Sequence, residues 1–192
     1  MNAAKILSLF CLSMISACSS LGQLDESSAA PSESESVFIM GVSPENYRVS
    51  IFPGSIDDGR FSQNLIRPAA FYGAAKQGFI VGKANAGDVL GITNVRVVSD
   101  GSSLLGADFK PCDGTKTMVY EVPRGKIVYF GSVEYKFEGK KLLVQYKNEI
   151  AAAQAHIRRN FPLLKGAVEP AEIKFLPSSA HCNSTIYIPI YR

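Results

Sequence analysis

What most constrains this chain is the recurrence of short runs of β-branched and aromatic residues, each cut off by glycine, proline or aspartate. The runs are Val37 to Val42, Tyr47 to Phe52, Gly78 to Ala84, Asp88 to Val98, Thr117 to Val122, Ile127 to Phe137, Lys141 to Tyr146, Ile173 to Leu176 and Thr185 to Tyr191. Such residues fit a pleated, half-buried surface. Turn signals lie between them at Pro53-Gly54, Asp57-Asp58-Gly59, Ala86-Gly87-Asp88, Asp100-Gly101 and Val122-Pro123-Arg124-Gly125, residues that supply preset or left-handed backbone angles. Many short strands with tight turns predict a mainly β fold, a sandwich of antiparallel strands. The 192 residues, 46% hydrophobic and 19% charged, provide for one globular domain. They exclude collagen, coiled coil and a wholly disordered chain, and with no apolar run of eighteen they exclude a multi-span membrane protein.

Two local pieces are well determined. If Glu138-Gly139 forms a two-residue loop, Phe137 faces Lys140, Tyr135 faces Leu142, Val133 faces Val144 and Gly131 faces Tyr146, all toward one face. The other face then carries Lys136 opposite Lys141, Glu134 opposite Leu143 and Ser132 opposite Gln145. One helix is predicted over 148–161. Asn148 caps it, Glu149 complements its dipole, Arg158 and Arg159 suit the last turn, and Pro162 stops it. Its inward stripe is Ile150, Ala153, Ile157 and Phe161.

Residues 1–17 have the layout of an export signal, with Lys5 charging the n-region and Ile6 to Ile15 forming an apolar stretch too short to cross a bilayer. The stretch ends in Ile15-Ser16-Ala17-Cys18, which resembles the lipobox of bacterial lipoproteins. Small residues at 16 and 17 leave a peptidase room, and the Cys18 thiolate can take a diacylglyceryl group as a thioether. The resemblance implies that Cys18 is the acylated mature N-terminus. Ser19, where an aspartate tends to retain such proteins at the inner membrane, implies the outer membrane, with the domain facing the periplasm. The alternative is an ordinary secretory signal that ends on a chance cysteine. Residues 18–36, the lipidated cysteine followed by serines, alanines and acids, predict a disordered tether with too little apolar surface to offset its own ordering entropy. It would span about 24 Å root-mean-square and roughly 60 Å when straight. The folded domain is then 37–192. Removing Lys5 from the 20 basic residues, and Asp25, Glu26, Glu33 and Glu35 from the 17 acidic ones, leaves the domain 19 against 13, a net +6. Those charges are dispersed, so a nucleic-acid surface is not indicated.

The order Val122-Pro123-Arg124-Gly125-Lys126, aromatic strand, hairpin, alanine-rich helix and Asn160-Phe161-Pro162 resembles bacterial lipoproteins with a transthyretin-like or carboxypeptidase-regulatory-like β-sandwich, over about residues 70–165. That resemblance carries no catalytic residues. With Cys11 lost in the signal and Cys18 acylated, Cys112 and Cys182 remain. In an oxidising compartment they predict one disulfide, closing a loop of about seventy residues and stabilising by roughly 4 kcal/mol on the chain-entropy account. Rival readings are a metal site of Cys112, His181 and Cys182, which lacks a fourth ligand at usual spacing, and a free redox thiol. His156 lies off the helix's apolar stripe and reads as a solvated imidazole; His181 sits beside the cysteine pair. No Gly-x-Ser-x-Gly elbow is present. Gly78 to Ala84 imitates a phosphate loop but has one intervening residue too few and Ala84 where a metal-binding hydroxyl is needed. Asp57, Asp58, Asp88, Asp100, Asp108 and Asp113 read as turn residues. Lys136, Lys140, Lys141 and Lys147 gather on one hairpin as a cationic patch for anionic headgroups or the carboxylates of peptidoglycan stems, or as an edge that deters strand aggregation. The expected function is that of a lipid-anchored, non-enzymatic binding or scaffolding module in the cell envelope. Its partner would be peptidoglycan, anionic lipid or another envelope protein, without a cofactor, and a periplasmic hydrolase is the alternative.

Overall fold

A computed structural model describes residues 20–98, 106–138 and 141–182. Among these are twelve strands: β1 (Glu35–Ser43), β2 (Arg48–Asp57), β3 (Arg60–Gln63), β4 (Phe71–Ala74), β5 (Phe79–Asn85), β6 (Val89–Val97), β7 (Ala107–Phe109), β8 (Lys116–Glu121), β9 (Ile127–Glu138), β10 (Lys141–Lys147), β11 (Val168–Pro170) and β12 (Ile173–Pro177). The helix α1 spans Ile150–Asn160. The inner sheet runs β10-β9-β1-β5, with β11 also on β9. The outer sheet runs β12-β8-β6-β2-β3, with β4 on β2 and β7 on β6. The mainly β sandwich stands, with a difference: α1 packs on the far face of the inner sheet, giving three layers.

β1 explains the layering. Its run Val37-Phe38-Ile39-Met40 is fully buried, because alternate side chains enter two cores. Phe38, Met40 and Val42 face the outer sheet, meeting Val49, Ile51, Phe71, Leu90, Ile92, Met118 and Tyr120. Val37 and Ile39 face α1, meeting Ala153, Ile157 and Phe161. β1 pairs antiparallel with β5 and parallel with β9. The β9 pairing skips a residue between Ile39 and Gly41, where Gly131 takes φ +87°. That bulge reverses the alternation of β9. Val128 and Phe130 face the sandwich before it, and Val133 and Tyr135 after it. Tyr129 is therefore turned to the helix side. β6 has a similar irregularity opposite Ser50/Ile51, so that Leu90 and Ile92, then Val95, share the core.

The outer sheet curls until its ends approach. Phe61 on β3 bridges to Ser178, just past β12, and the Ser179 N–H donates to the Phe61 carbonyl at 2.9 Å. The Phe61 ring fills the curl where Gly54 and Gly91 lack side chains.

Several expectations need correction. Pro53-Gly54 is not a turn but the middle of β2. The missing N–H of Pro53 falls where β2 changes neighbour from β4 to β3, and its carbonyl accepts from the Asn64 N–H. The turn is at Asp58-Gly59, both with positive φ, as a two-residue hairpin requires. The β9–β10 register differs by two residues: Glu138 faces Lys141, Phe137 faces Leu142, Tyr135 faces Val144 and Val133 faces Tyr146. A two-residue shift keeps every side chain on its expected face and changes only its partner. The N-cap residue of α1 is Glu149, whose side chain makes no capping bond; Asn148 Oδ1 accepts from the Ile150 N–H at 3.4 Å, and the Tyr129 hydroxyl accepts from the Glu149 N–H at 2.7 Å. Its inward stripe is as expected, with Ala153, Ile157 and Phe161 buried.

Residues 20–34 do not form a loose tether. Leu21 and Tyr72 exchange two backbone hydrogen bonds, the Leu24 N–H donates to Val81, and Leu24 packs against the helix-side core. Cys18, Lys140, Asp100-Gly101 and the run Thr185 to Tyr191 lie outside the described residues.

A Cβ built on Gly91 would stand 2.6 Å from two atoms of the Phe61 ring. Gly91→Ala should therefore destabilise the domain by roughly 1–3 kcal/mol through overpacking, with a smaller loss in a Phe61→Leu background. Urea denaturation of the four-member cycle measures both. Equal losses in the two backgrounds would show that the ring does not set the cost.

Candidate functional site

The sandwich is open along one long side, where β8 and β12 of the outer sheet face β9, β10 and β11 of the inner one. Two clefts occupy this side, and between them the Tyr146 and Phe175 rings meet with centroids 4.5 Å apart.

The larger cleft has a volume of about 320 Å³ and is lined by Tyr120, Glu121 and Val122 after β8, Val128 on β9, and Glu169 to Glu172 around β11, with Lys126 and Lys174 at its edge. The position of β8 follows from its alternation. Met118 and Tyr120 enter the core, where the Tyr120 ring packs on Phe130 at 4.6 Å. The Tyr120 hydroxyl has no hydrogen-bond partner, although the residue is 1% exposed. Burial raises its pKa, so it remains a neutral phenol able both to donate and to accept. Lys126 pairs with Glu169 at 2.6 Å. The cleft thus offers an apolar floor, beneath which the Tyr120 hydroxyl is buried, and a rim of carboxylates and ammonium groups.

The smaller cleft, about 160 Å³, is more apolar. Ile92, Val95, Phe109 and Pro111 form one wall, and Tyr135, Leu142, Val144 and Tyr146 the other. Its buried Tyr135 also has an unpartnered hydroxyl, and its pKa too is raised by burial.

The lysine hairpin pairs its charges differently from the expected register. Lys136 stands opposite Leu143, not Lys141, and its ammonium meets Glu138 at 2.8 Å. Lys141 faces Glu138, and Lys147 pairs with Glu134. The two-residue register shift therefore sets Lys141 opposite Glu138 rather than opposite Lys136.

Cys112 and Cys182 come to disulfide distance, with Cα atoms 5.2 Å apart. The Asp113 carboxylate lies beside both sulfurs. His181 is exposed, its Nδ1 3.5 Å from Asp113. His156 is not the solvated imidazole expected. Its ring lies 4.8 Å from Phe79, and Nδ1 is 3.1 Å from the Asn160 amide nitrogen. It lines a surface hollow closed by residues 20–27. Burial, then the nearby Arg159, lowers its pKa, with Glu26 opposing. The two histidines thus sit in separate places.

Among the aspartates, Asp58 and Asp113 adopt left-handed turn angles as expected. Asp88 also closes a turn, its N–H donating to the Asn85 carbonyl, and its carboxylate binds Arg67, whereas Asp108 lies in β7 and binds Arg96. The Gly78-to-Ala84 run includes most of β5, with Ile80 and Val81 buried. Sequence reasoning missed both tyrosine-floored clefts. Tyr120 and Tyr135 read only as strand aromatics, and nothing local shows whether a buried hydroxyl finds a partner.

Comparison with family models, with curated proteins and with solved structures gives no match. The function is therefore argued from these side chains.

Two outcomes check this description. The folded-state pKa of His156 lies below its unfolded value, so acidification from neutral through the ordinary histidine range protonates the unfolded chain first and lowers stability. His156→Asn should flatten the fall in stability between pH 7 and pH 5; an unchanged slope would place its origin elsewhere. Thiol labelling of natively exported protein without reductant should leave Cys112 and Cys182 unmodified, and quantitative labelling of both would refute their pairing.

Proposed function

We propose that this chain is a lipid-anchored envelope protein whose β-sandwich domain acts as a non-enzymatic binding module at the periplasmic side of the outer membrane. The observation that carries the binding reading is the larger cleft. Its volume reaches the lower bound of ordinary ligand pockets, and its lining combines apolar surface with a few placed polar groups, the pattern by which small molecules or short chain segments are held. Glu121, Glu169 and Glu172 favour a ligand with exposed N–H or ammonium donors.

The anchor reading rests on Ile15-Ser16-Ala17-Cys18, and the docked segment sharpens it. Ser20 touches the position of Gly73, and Leu21 is held to Tyr72. If Cys18 is acylated, only Ser19 separates the anchor from the domain, so at most about 8 Å of chain intervenes. The domain then rests against the bilayer with the β4–β5 turn near the headgroups, and the Asp58-Gly59 hairpin tip points away along β2. Two or more acyl chains make such attachment lasting.

Intact mass spectrometry of the membrane fraction should show Cys18 as the acylated first residue, and Cys18→Ala should release the domain or leave it unprocessed. With the lipidated protein in vesicles, a fluorophore at position 76 should be quenched by lipid-borne quenchers and one at position 58 should not. Cleavage elsewhere would refute the anchor, whereas equal quenching at both positions would refute only the orientation. For the binding reading, Glu169→Gln and Glu172→Gln should each weaken by about tenfold the capture of an amine-bearing envelope ligand. Capture unaffected by both would move the site from this cleft.

A further inference from the structure

The hollow beside His156 lies on the helix side of the inner sheet, apart from both clefts. Its volume of about 590 Å³ falls within the roughly 300–1,000 Å³ of ordinary ligand pockets. Three stretches far apart in sequence meet around it: residues 20–27, the turn between β4 and β5, and the end of α1. The turn is a two-residue hairpin. Lys76 and Phe79 exchange both backbone hydrogen bonds, and Gln77 and Gly78 take the positive φ that such a hairpin requires. It carries the Gln77 side chain to α1, where His156 and Asn160, four residues apart, share one face.

The polar groups here are ordered by one another and only partly used. The Asn160 amide nitrogen lies 3.1 Å from Gln77 Oε1 and 3.1 Å from His156 Nδ1. An amide nitrogen only donates, so Nδ1 accepts, and the imidazole is the neutral tautomer with its proton on Nε2. His156 Nε2–H, the Gln77 amide N–H groups and Asn160 Oδ1 then have no partner among the described residues. On the opposite wall the Ser27 N–H and hydroxyl both donate to Asp25 Oδ1, which leaves Oδ2 unengaged. Glu26 adds a second carboxylate, and Lys76 brings one ammonium near Asp25. Leu24 and Phe161 supply the apolar lining, and the His156 ring is braced against Phe79.

Such a set discriminates between kinds of ligand. Two carboxylates against one ammonium disfavour an anion, and Lys76 opposes a bare cation. A sugar hydroxyl both donates and accepts, so a ring bearing several can use the His156 and Gln77 donors together with the Asn160 and Asp25 acceptors. An acetamido substituent adds one N–H and one carbonyl, which Asn160 Oδ1 and the Gln77 amide complement. We propose that this hollow is a binding site for a neutral saccharide, and for an N-acetylated sugar unit before others. It shares no residue with the larger cleft and does not depend on acylation of Cys18.

The test is a titration of the full exported chain, held in phosphatidylcholine nanodiscs, with the disaccharide of N-acetylglucosamine and followed by NMR. The signals of His156 Nε2 and of the Asn160 side-chain amide should move saturably at millimolar sugar, while those of Glu169 and Glu172 should not move. Gln77→Gly, which keeps the left-handed backbone at ease, and Asn160→Ala should each weaken the affinity by about tenfold with the backbone amide spectrum preserved. Glucuronic acid and maltose, the one anionic and the other without an acetamido group, should bind more weakly. Absence of a shift at His156 would overturn the proposal, as would an affinity indifferent to both substitutions. Binding of glucuronic acid or maltose as tight as that of the N-acetylated disaccharide would overturn the ligand assignment.

Discussion

Burial of β1 on both faces is the constraint on which the remaining architecture depends. A strand hidden on one side only could belong to a two-layer sandwich. Val37 and Ile39, pointing away from Phe38 and Met40, require a third layer, and α1 supplies it with Ala153, Ile157 and Phe161. The demand spreads to β9, which must feed both cores along its length. Gly131 makes this possible. In left-handed geometry it inserts one residue, so that Tyr129 reaches the helix start while Tyr135 reaches the sandwich. The Tyr129 hydroxyl then meets both Ser132 and the Glu149 N–H, joining the bulge to the first turn of the helix.

The open side of the sandwich is the counterpart of this arrangement. The outer sheet curls on Phe61 toward its own far edge. Two clefts lie where the sheets face each other, with Tyr120 and Tyr135 among their lining residues. The two clefts differ in kind. One has a charged rim and the volume of a ligand site; the other is small, apolar and bordered by β10, which pairs only with β9 among the described residues. Ion pairs such as Lys126 with Glu169 and Lys136 with Glu138 have side chains about half exposed or more and add little stability.

The N-terminal segment shows how few contacts can order a polar stretch. Its serines and acids cannot form a core of their own. They need not, because Leu21 and Leu24 borrow partners from β4 and β5, and backbone bonds to Tyr72 and Val81 fix the path. A flexible spacer thereby becomes a short strap, and the proposed anchor would control orientation as well as location.

The sequence alone determined what depends on local pattern. Strand runs, the Asp58-Gly59 hairpin turn and the inward stripe of α1 were legible because each follows from residue type and period. The short strands β3, β4, β7 and β11 were not, since Arg60-Phe61-Ser62-Gln63 or Val168-Glu169-Pro170 becomes a strand only when a longer neighbour offers hydrogen bonds. The faces of the β9–β10 hairpin were readable, but its register was not. A shift by two residues preserves every buried side chain, so hydrophobic pattern cannot choose between the two, and the choice decided whether Lys141 met Lys136 or Glu138. The cysteine pair was legible by elimination, whereas the clefts and their unpartnered tyrosines depended on how two sheets diverge in space. The clefts are a long-range packing outcome, lined by residues of β6, β8, β9, β10 and β11 that lie far apart in sequence, and no local segment encodes them.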